Sequence, residues 1–339
     1  MRRHRAFTTH FRNRMFQKII IVLLALVVNF CGTANAQSDA MAKIRARLHQ
    51  DKARIFSGAL ENPRGETLEV AGPRAHFTGK FVNRGTFKTT DTTVTFHGSY
   101  TEMGSYVSDP SVNFFTDLII GPGGTLTGGV GDKFIVSGNF LNGSLQKNTW
   151  ATGSAELYFS GGAAPHSVSL ASADVGPDFA GYVNNFAWGI LRIGPGQSLT
   201  LSDGNASAGG ALYTDQLLLA GGIPQIASIT GNGFNIYYNQ FNAANAYLGG
   251  LAYPLTGGGA IIPIAASVKI TATAWLPNGH FRFQCLGVPN RSHTIQASPD
   301  LIVPFAFLAT VTAAADGTFQ FEDMNAASYF QRYYRVVFP

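Results

Sequence analysis

The chain has 339 residues, 39 of them glycine, and only 13% are charged, against roughly 25% in ordinary soluble domains. That length accommodates two domains with ample material for a core. The formal net charge of +5 does not indicate a nucleic-acid partner, because residues 1–36 hold Arg2, Arg3, Arg5, Arg12, Arg14 and Lys18 and no acidic residue. With those six removed, the 24 basic residues fall to 18 against 19 acidic ones, and no basic stripe remains beyond 43–54.

Residues 1–36 have three parts. A basic arm ends at Lys18, an apolar run covers 19–28, and Ala34-Asn35-Ala36 forms an A-x-A site. This is the layout of a secretory signal peptide, with cleavage expected before Gln37. The run is shorter than the ~20 residues that span a bilayer. The alternative is an uncleaved anchor. Cys31 follows Phe30 rather than a small residue, which argues against a lipid attachment site. The expected location is therefore secreted or cell surface, with no membrane span in the mature chain. Cys285 is then the lone cysteine, no intramolecular disulfide is available, and the residue reads as a small buried hydrophobe in a strand.

A leader, 37–64, follows. Over 38–56, Ile44, Leu48 and Ile55 fall near one helical face, and Lys43, Arg45, Arg47, Lys52 and Arg54 occupy the rest. The spacing predicts a helix that caps the next unit, since stacked repeats need covered ends. A basic amphipathic helix lying on an anionic surface is the other reading.

Residues 65–265 carry almost no helix signal. Short apolar triplets recur, among them Val94-Thr95-Phe96, Leu118-Ile119-Ile120, Phe134-Ile135-Val136, Leu157-Tyr158-Phe159, Val168-Ser169-Leu170, Leu199-Thr200-Leu201 and Leu217-Leu218-Leu219, separated by Gly, Asn, Ser or Asp. Alternation of apolar and small polar residues means one face in and one face out. Hairpin signals exist at Asn142-Gly143 and Asp203-Gly204, but most breaks are longer and irregular. Very short strands with an unequal period near 20 residues suit a parallel β-helix better than a hairpin sandwich. Asn139, Asn142 and Asn148 fall where coil turns are expected, and asparagine tolerates left-handed backbone. Residues 242–248 read as a short helix or turn. Pro263 and 265–267 read as the junction to a second unit.

That unit, 268–339, shows strands at 268–274, 281–286, 292–297, 305–312, 318–321 and 333–338, with turns at Asn278-Gly279 and Asp316-Gly317. Six short strands in so few residues predict a small C-terminal β-sandwich. The fold class expected for the whole chain is thus all-β: a parallel β-helix or solenoid body followed by that sandwich.

The body segments Gly131-Asp132-Lys133-Phe134-Ile135-Val136-Ser137-Gly138-Asn139-Phe140, Phe179-Ala180-Gly181-Tyr182-Val183-Asn184-Asn185-Phe186-Ala187-Trp188-Gly189 and Ile226–Tyr238 resemble secreted bacterial β-solenoid proteins of the autotransporter-passenger-like group. The tail segments His293-Thr294-Ile295-Gln296-Ala297-Ser298-Pro299-Asp300-Leu301, Gly317-Thr318-Phe319-Gln320-Phe321-Glu322-Asp323 and Gln331-Arg332-Tyr333-Tyr334-Arg335-Val336 resemble the short fibronectin-III-like module that ends secreted proteins of Verrucomicrobia-type bacteria. In that module a tryptophan follows the Asp-Leu pair. Here Val303-Pro304-Phe305 stands instead, and Phe305 is expected to fill the core position. The resemblance implies fold and export, and carries no catalytic residues.

Chemistry-bearing patterns are sparse. Asp109, Asp117, Asp132, Glu156, Asp174, Asp178, Asp203 and Asp215 are dispersed, and from 89 to 264 the basic residues are Lys133, Lys147 and Arg192. A polysaccharide lyase or hydrolase on a β-helix needs clustered acids and a base. Asp174 and Asp178 are the closest pair, and a solvated turn accounts for them. His49, His76, His97, His166, His280 and His293 lack metal-ligand spacing. There is no G-x-S-x-G, Gly121-Pro122-Gly123-Gly124 lacks the lysine of a phosphate loop, and Asp203-Gly204-Asn205 lacks the later ligands of a calcium loop. No catalytic, metal or cofactor residue is assigned, and the ligand is left open. Tyr237, Tyr238, Phe241, Tyr247 and Tyr253, and Tyr329, Phe330, Tyr333 and Tyr334, are dense enough to suit sugar faces, with core packing expected for at least half. The expected function is a non-catalytic structural or adhesive protein whose partners are extracellular polysaccharide or cell-envelope components. The alternative is a polysaccharide lyase or hydrolase.

Overall fold

The structure, a computed structural model, describes residues 54–337 apart from 163, 207–208, 265–267, 289–290 and 315–316. The expected signal peptide and most of the expected leader helix lie outside the described residues. The described part of that leader is already body: Arg54–Phe56 is the first rung, ahead of the boundary expected at 65.

The body is a parallel β-solenoid of about ten coils. Its first face stacks Arg54–Phe56, Ala75–Phe77, Thr93–Phe96, Val112–Phe115, Lys133–Val136, Thr152–Phe159, Trp188–Ile193, Gly210–Leu219, Asn235–Asn239 and Ala260–Ile264. The second face stacks Leu60–Asn62, Phe81–Asn83, Tyr100–Glu102, Leu118–Ile120, Phe140–Asn142, His166–Leu170, Leu199–Asp203 and Ile229–Thr230. A third face is shorter: Thr67–Ala71, Thr86–Thr90, Ser105–Asp109 and Thr125–Thr127. Every neighbour along these stacks pairs in parallel, as a hairpin sandwich does not.

Each coil follows from its triplets. In Thr93–Phe96, Val94 and Phe96 point inward and the threonines outward. The corner after it is glycine because coils approach there closely. A Cβ on Gly98 would lie 2.6 Å from the Gly79 carbonyl carbon, and one on Gly79 would lie 2.1 Å from the Gly58 oxygen. Inside, like residues fall on like residues. Phe56, Phe77, Phe96 and Phe115 form a ladder with ring centroids 5.0, 5.1 and 5.2 Å apart. Phe81 stacks on Tyr100 at 5.5 Å, and Phe87 on Tyr106 at 5.2 Å. Each fully buried phenylalanine contributes roughly 1.5–3 kcal/mol by burial.

The unequal period has a structural cause. Early coils repeat about every 19 to 21 residues, as the contacts Thr89–Ser108 and Asn62–Asn83 show. After Thr125–Thr127 the third face stops. Loops of varying length and the 3-10 turns Phe179–Tyr182, Ile223–Ser228 and Ala243–Leu248 replace it. The last of these is the turn expected at 242–248. Among the described residues other than glycine, left-handed backbone falls at Asp91, Asn184, Phe186 and Asn232. Asn139, Asn142 and Asn148 are not among these positions; Asn142 instead accepts a hydrogen bond from the Ser144 amide at 3.1 Å. Pro263, expected at a junction, lies inside the last rung, where an edge position tolerates the missing N–H.

The tail is two three-stranded antiparallel sheets, Lys269–Trp275 / Phe281–Leu286 / Thr318–Asp323 and Ala306–Thr312 / Ser292–Ser298 / Tyr333–Val337. Phe283, Cys285, Ile295, Ala313 and Phe319 form the buried core between them. Phe305 is not in it: the ring is half-buried with the Arg335 guanidinium 4.6 Å above it. The tail is joined to the body through Leu286 and Val288, which pack with Phe179, Tyr213, Tyr237 and Ile264, and through an ion pair from Lys269 to Asp178. Among the described residues no helix is long and apolar enough to cross a membrane.

Candidate functional site

The acidic residues are held at separate places by structural partners. Asp132 is buried and accepts from the Ser108 hydroxyl, the Ser111 amide at 2.8 Å and the Gly129 amide at 2.7 Å. Asp117 accepts from the Asn139 amide at 2.8 Å. Asp109 and Asp203 are exposed ends of strands. Asp215 accepts from Asn239 and Asn242, each at 2.6 Å, and its burial holds the carboxyl above the usual range. Asp174 and Asp178 do share a neighbourhood around Tyr213. Asp174 takes the Tyr237 hydroxyl at 2.8 Å and Asn235 at 2.9 Å. Asp178 takes the Ala180 amide at 2.9 Å and pairs with Lys269, and these contacts hold it below the usual range against an opposing burial effect. Among the described residues no group of three His, Cys, Asp or Glu could hold a metal ion.

Two arrangements escaped the sequence reading. His76 pairs in register with Thr95 of the next coil, and His97 follows two residues later at the corner, where the two imidazole rings stack outside the first face with Nδ1 and Nε2 3.2 Å apart. Partial burial, then the charge of His97, lower the affinity of His76 for a proton. The second is an interior polar ladder. Asn62 donates to Asn83 at 2.8 Å, and Asn83 donates to both carboxyl oxygens of Glu102 at 2.9 Å. Glu102 also accepts from the Tyr100 hydroxyl at 2.9 Å and the Gly104 amide at 2.7 Å. Burial outweighs these bonds and raises its pKa from 4.5 to about 8. The asparagines also donate to the carbonyls of Glu66, Thr86, Gly85 and Ser105, which closes the corner between the second and third faces. The signal was the Asn or Glu that ends the first three second-face triplets, at Asn62, Asn83 and Glu102.

The surface most suited to a ligand is the outside of the first face. Register places Ile55, His76, Thr95, Phe114, Ile135, Tyr158, Arg192 and Leu218 in one outward row across eight coils. Successive rungs are about 4.8 Å apart. Beside this row runs a second one at the face's corner, where the amides of Thr78, His97, Thr116, Ser137 and Ser160 each bond the coil before. Apolar side chains and hydroxyls thus line the two sides of a shallow groove of about 210 Å³ bounded by Phe114, Ile135, Thr116, Ser137 and Ser160. The Thr116 and Ser137 hydroxyls donate to backbone carbonyls at 3.0 and 3.2 Å, so they offer acceptor lone pairs outward. The charges on this face are concentrated in one knot. Glu156 is buried under Arg192 and Lys133, and the Arg192 guanidinium lies 5.5 Å from the Tyr158 ring centre.

The dense tyrosines divide. Tyr237 and Tyr238 are buried and Phe241 and Tyr334 pack on the two cores, whereas Tyr247, Tyr329, Phe330 and Tyr333 are exposed. Cys285 is buried in its strand, and burial pushes its thiol up to about 11. No family model, curated protein or solved structure matches the chain.

Proposed function

We propose that the chain is an exported, non-catalytic solenoid that holds neutral polysaccharide along its first face and serves as a structural or adhesive module at the cell surface. The observation that carries this reading is the pair of parallel outward rows, with Phe114, Ile135 and Tyr158 in one and Thr116, Ser137 and Ser160 in the other. Apolar and aromatic side chains suit the C–H faces of sugar rings, and hydroxyls suit their edges. The one-coil repeat presents this pair of groups again and again, as a repeating polymer requires. Export is supported by the three-part layout of residues 1–36. The strand order of the tail sheets supports reading it as a fibronectin-III-like module, appended for display or attachment to envelope components. A lyase or hydrolase calls for acids converging in one groove. Asp132, Asp203 and the Asp174–Asp178 neighbourhood sit apart, which favours binding over cleavage.

Retention on insoluble neutral polysaccharides (cellulose, chitin, xylan and mannan) tests the reading. Wild-type protein is expected to be retained on at least one of them, and retention is expected to persist in high salt because the contacts are uncharged. Combining Phe114→Ala with Tyr158→Ala is expected to weaken it at least tenfold. No retention on any of the four, or equal retention of the double variant, would sink the proposal.

A further inference from the structure

We propose a second ligand site, separate from the first face, where the third face ends, and infer that it takes an uncharged saccharide unit. After Thr125–Thr127 the third face is continued only by an isolated parallel bridge from Thr127 to Ala151. Beside that bridge lies a cavity of about 410 Å³, within the range of small-molecule sites. Its wall includes Gly129, Trp150, Gly153, Ser154, Tyr182 and Asn184.

The two glycines are the first argument. Neither has a left-handed φ, so backbone conformation does not demand glycine at either place. Neither is demanded by packing. A Cβ on Gly153 would meet nothing within 4 Å, and one on Gly129 would meet only an Asp132 oxygen at 4.0 Å. Gly189 shows the contrast in the neighbouring strand, where a Cβ would lie 2.6 Å from the Ser154 Cα. At Gly129 and Gly153 the absent side chains leave space in the cavity and serve no packing need of the fold.

The opposite wall is the second argument. Asn184 and Phe186 have φ of 49° and 56°. For phenylalanine this is a true outlier, and strain of this kind gathers at ligand sites. The loop is pinned in this state. The Asn185 side chain bonds both the amide and the carbonyl of Ala173, at 2.8 and 2.9 Å, and the Phe186 ring meets Trp150 edge-on at 5.1 Å. The pinned loop holds the Asn184 carboxamide at the exposed rim.

The chemistry of the wall selects the ligand. Trp150 and Tyr182 supply apolar surface. The Ser154 hydroxyl and the Asn184 carboxamide have no protein partner among the described residues, and each both donates and accepts. Among the described residues no acidic or basic side chain lines the cavity. Asp132 stands behind the Gly129 floor, buried, with its carboxylate committed to Ser108, Ser111 and Gly129. An anionic sugar would have no cation to meet, whereas a neutral ring with hydroxyl edges and a C–H face meets both kinds of wall.

Saturation-transfer NMR and calorimetry on the full chain test this with cellobiose, xylobiose, chitobiose and mannobiose as neutral probes and digalacturonate as the anionic one. At least one neutral disaccharide is expected to bind more tightly than digalacturonate. Gly153→Phe fills the cavity from a strand position that accepts aromatics and is expected to weaken binding at least tenfold. Asn184→Gly removes the carboxamide while easing the left-handed backbone, and is expected to weaken binding with no loss in melting temperature. The double variant of Phe114 and Tyr158 is expected to keep the share of disaccharide binding that Gly153→Phe removes, which separates this site from the first face. Absence of neutral-disaccharide binding by the wild type overturns the inference. So do unchanged binding in both folded cavity variants, and loss of binding in the first-face variant.

Discussion

Glu102 makes the stability of this solenoid depend on pH in an unusual direction. Its carboxyl is enclosed by Asn83, Tyr100 and Gly104, and burial raises its pKa from 4.5 to about 8. Below pH 4.5 the group is protonated in both the folded and unfolded chain, and it costs nothing. Between 4.5 and 8 the unfolded chain loses the proton while the folded chain keeps it, so stability falls as pH rises. The slope is about 1.4 kcal/mol per pH unit, which amounts to on the order of 4 kcal/mol between pH 5 and pH 8. Above 8 both forms are ionised and the curve flattens. Glu102→Gln keeps the shape, exchanges one acceptor oxygen for an NH2 donor, and removes the titration. Urea unfolding of both proteins from pH 5 to pH 8 measures the difference. The variant is expected to gain on the wild type steadily with pH, by on the order of 4 kcal/mol at the alkaline end. Other raised groups such as Asp215 remain in both proteins and cancel. A difference between the two proteins that stays constant across this range would refute the argument, because it would mean that Glu102 titrates alike in both states.

Two further outcomes follow from the packing. Phe96 stacks between Phe77 and Phe115 and is buried in the ladder, so Phe96→Ala is expected to cost about 3–5 kcal/mol. A denaturant midpoint unchanged from wild type would contradict the ladder's role. Cys285 is buried with its thiol pushed up to about 11, so iodoacetamide at pH 8 is expected to leave it unmodified in the folded chain and to alkylate it in denaturant. Fast labelling of the native protein, read by mass spectrometry, would contradict that placement.

Much of the architecture is legible from local pattern. The triplets at Val94, Leu118, Phe134 and Val168 are rungs because alternation alone decides which side faces the core. In the tail, the six strands fall within a few residues of their expected ends, and Gly279 and Gly317 adopt the left-handed φ that their turns require. What stayed hidden depends on which coil lies above which. His76 and His97 look isolated until a coil's length brings them together. Glu102 looks like a surface acid until it is seen to stack on Asn83. The row from Ile55 to Leu218 is a property of register, and register was obscured by loops of different length in the later coils. Phe305 was expected in the core because a neighbouring tryptophan position suggested it, yet the Arg335 guanidinium gives its ring a satisfactory place at the surface.

The column that contains Glu102 also fixes how the chain is wound. Read along the axis it runs Asn62, Asn83, Glu102, Ile120 and Asn142. A column of identical residues would let one coil be exchanged for the next with little penalty, since every level would look the same to its neighbours. Here the hydrogen-bonding needs of each level differ. A slip by one coil would set Ile120 where Asn83 expects an acceptor, and would leave a buried amide unanswered. The few polar groups inside this body therefore act as an index, allowing a nearly repetitive sequence only one phase of winding.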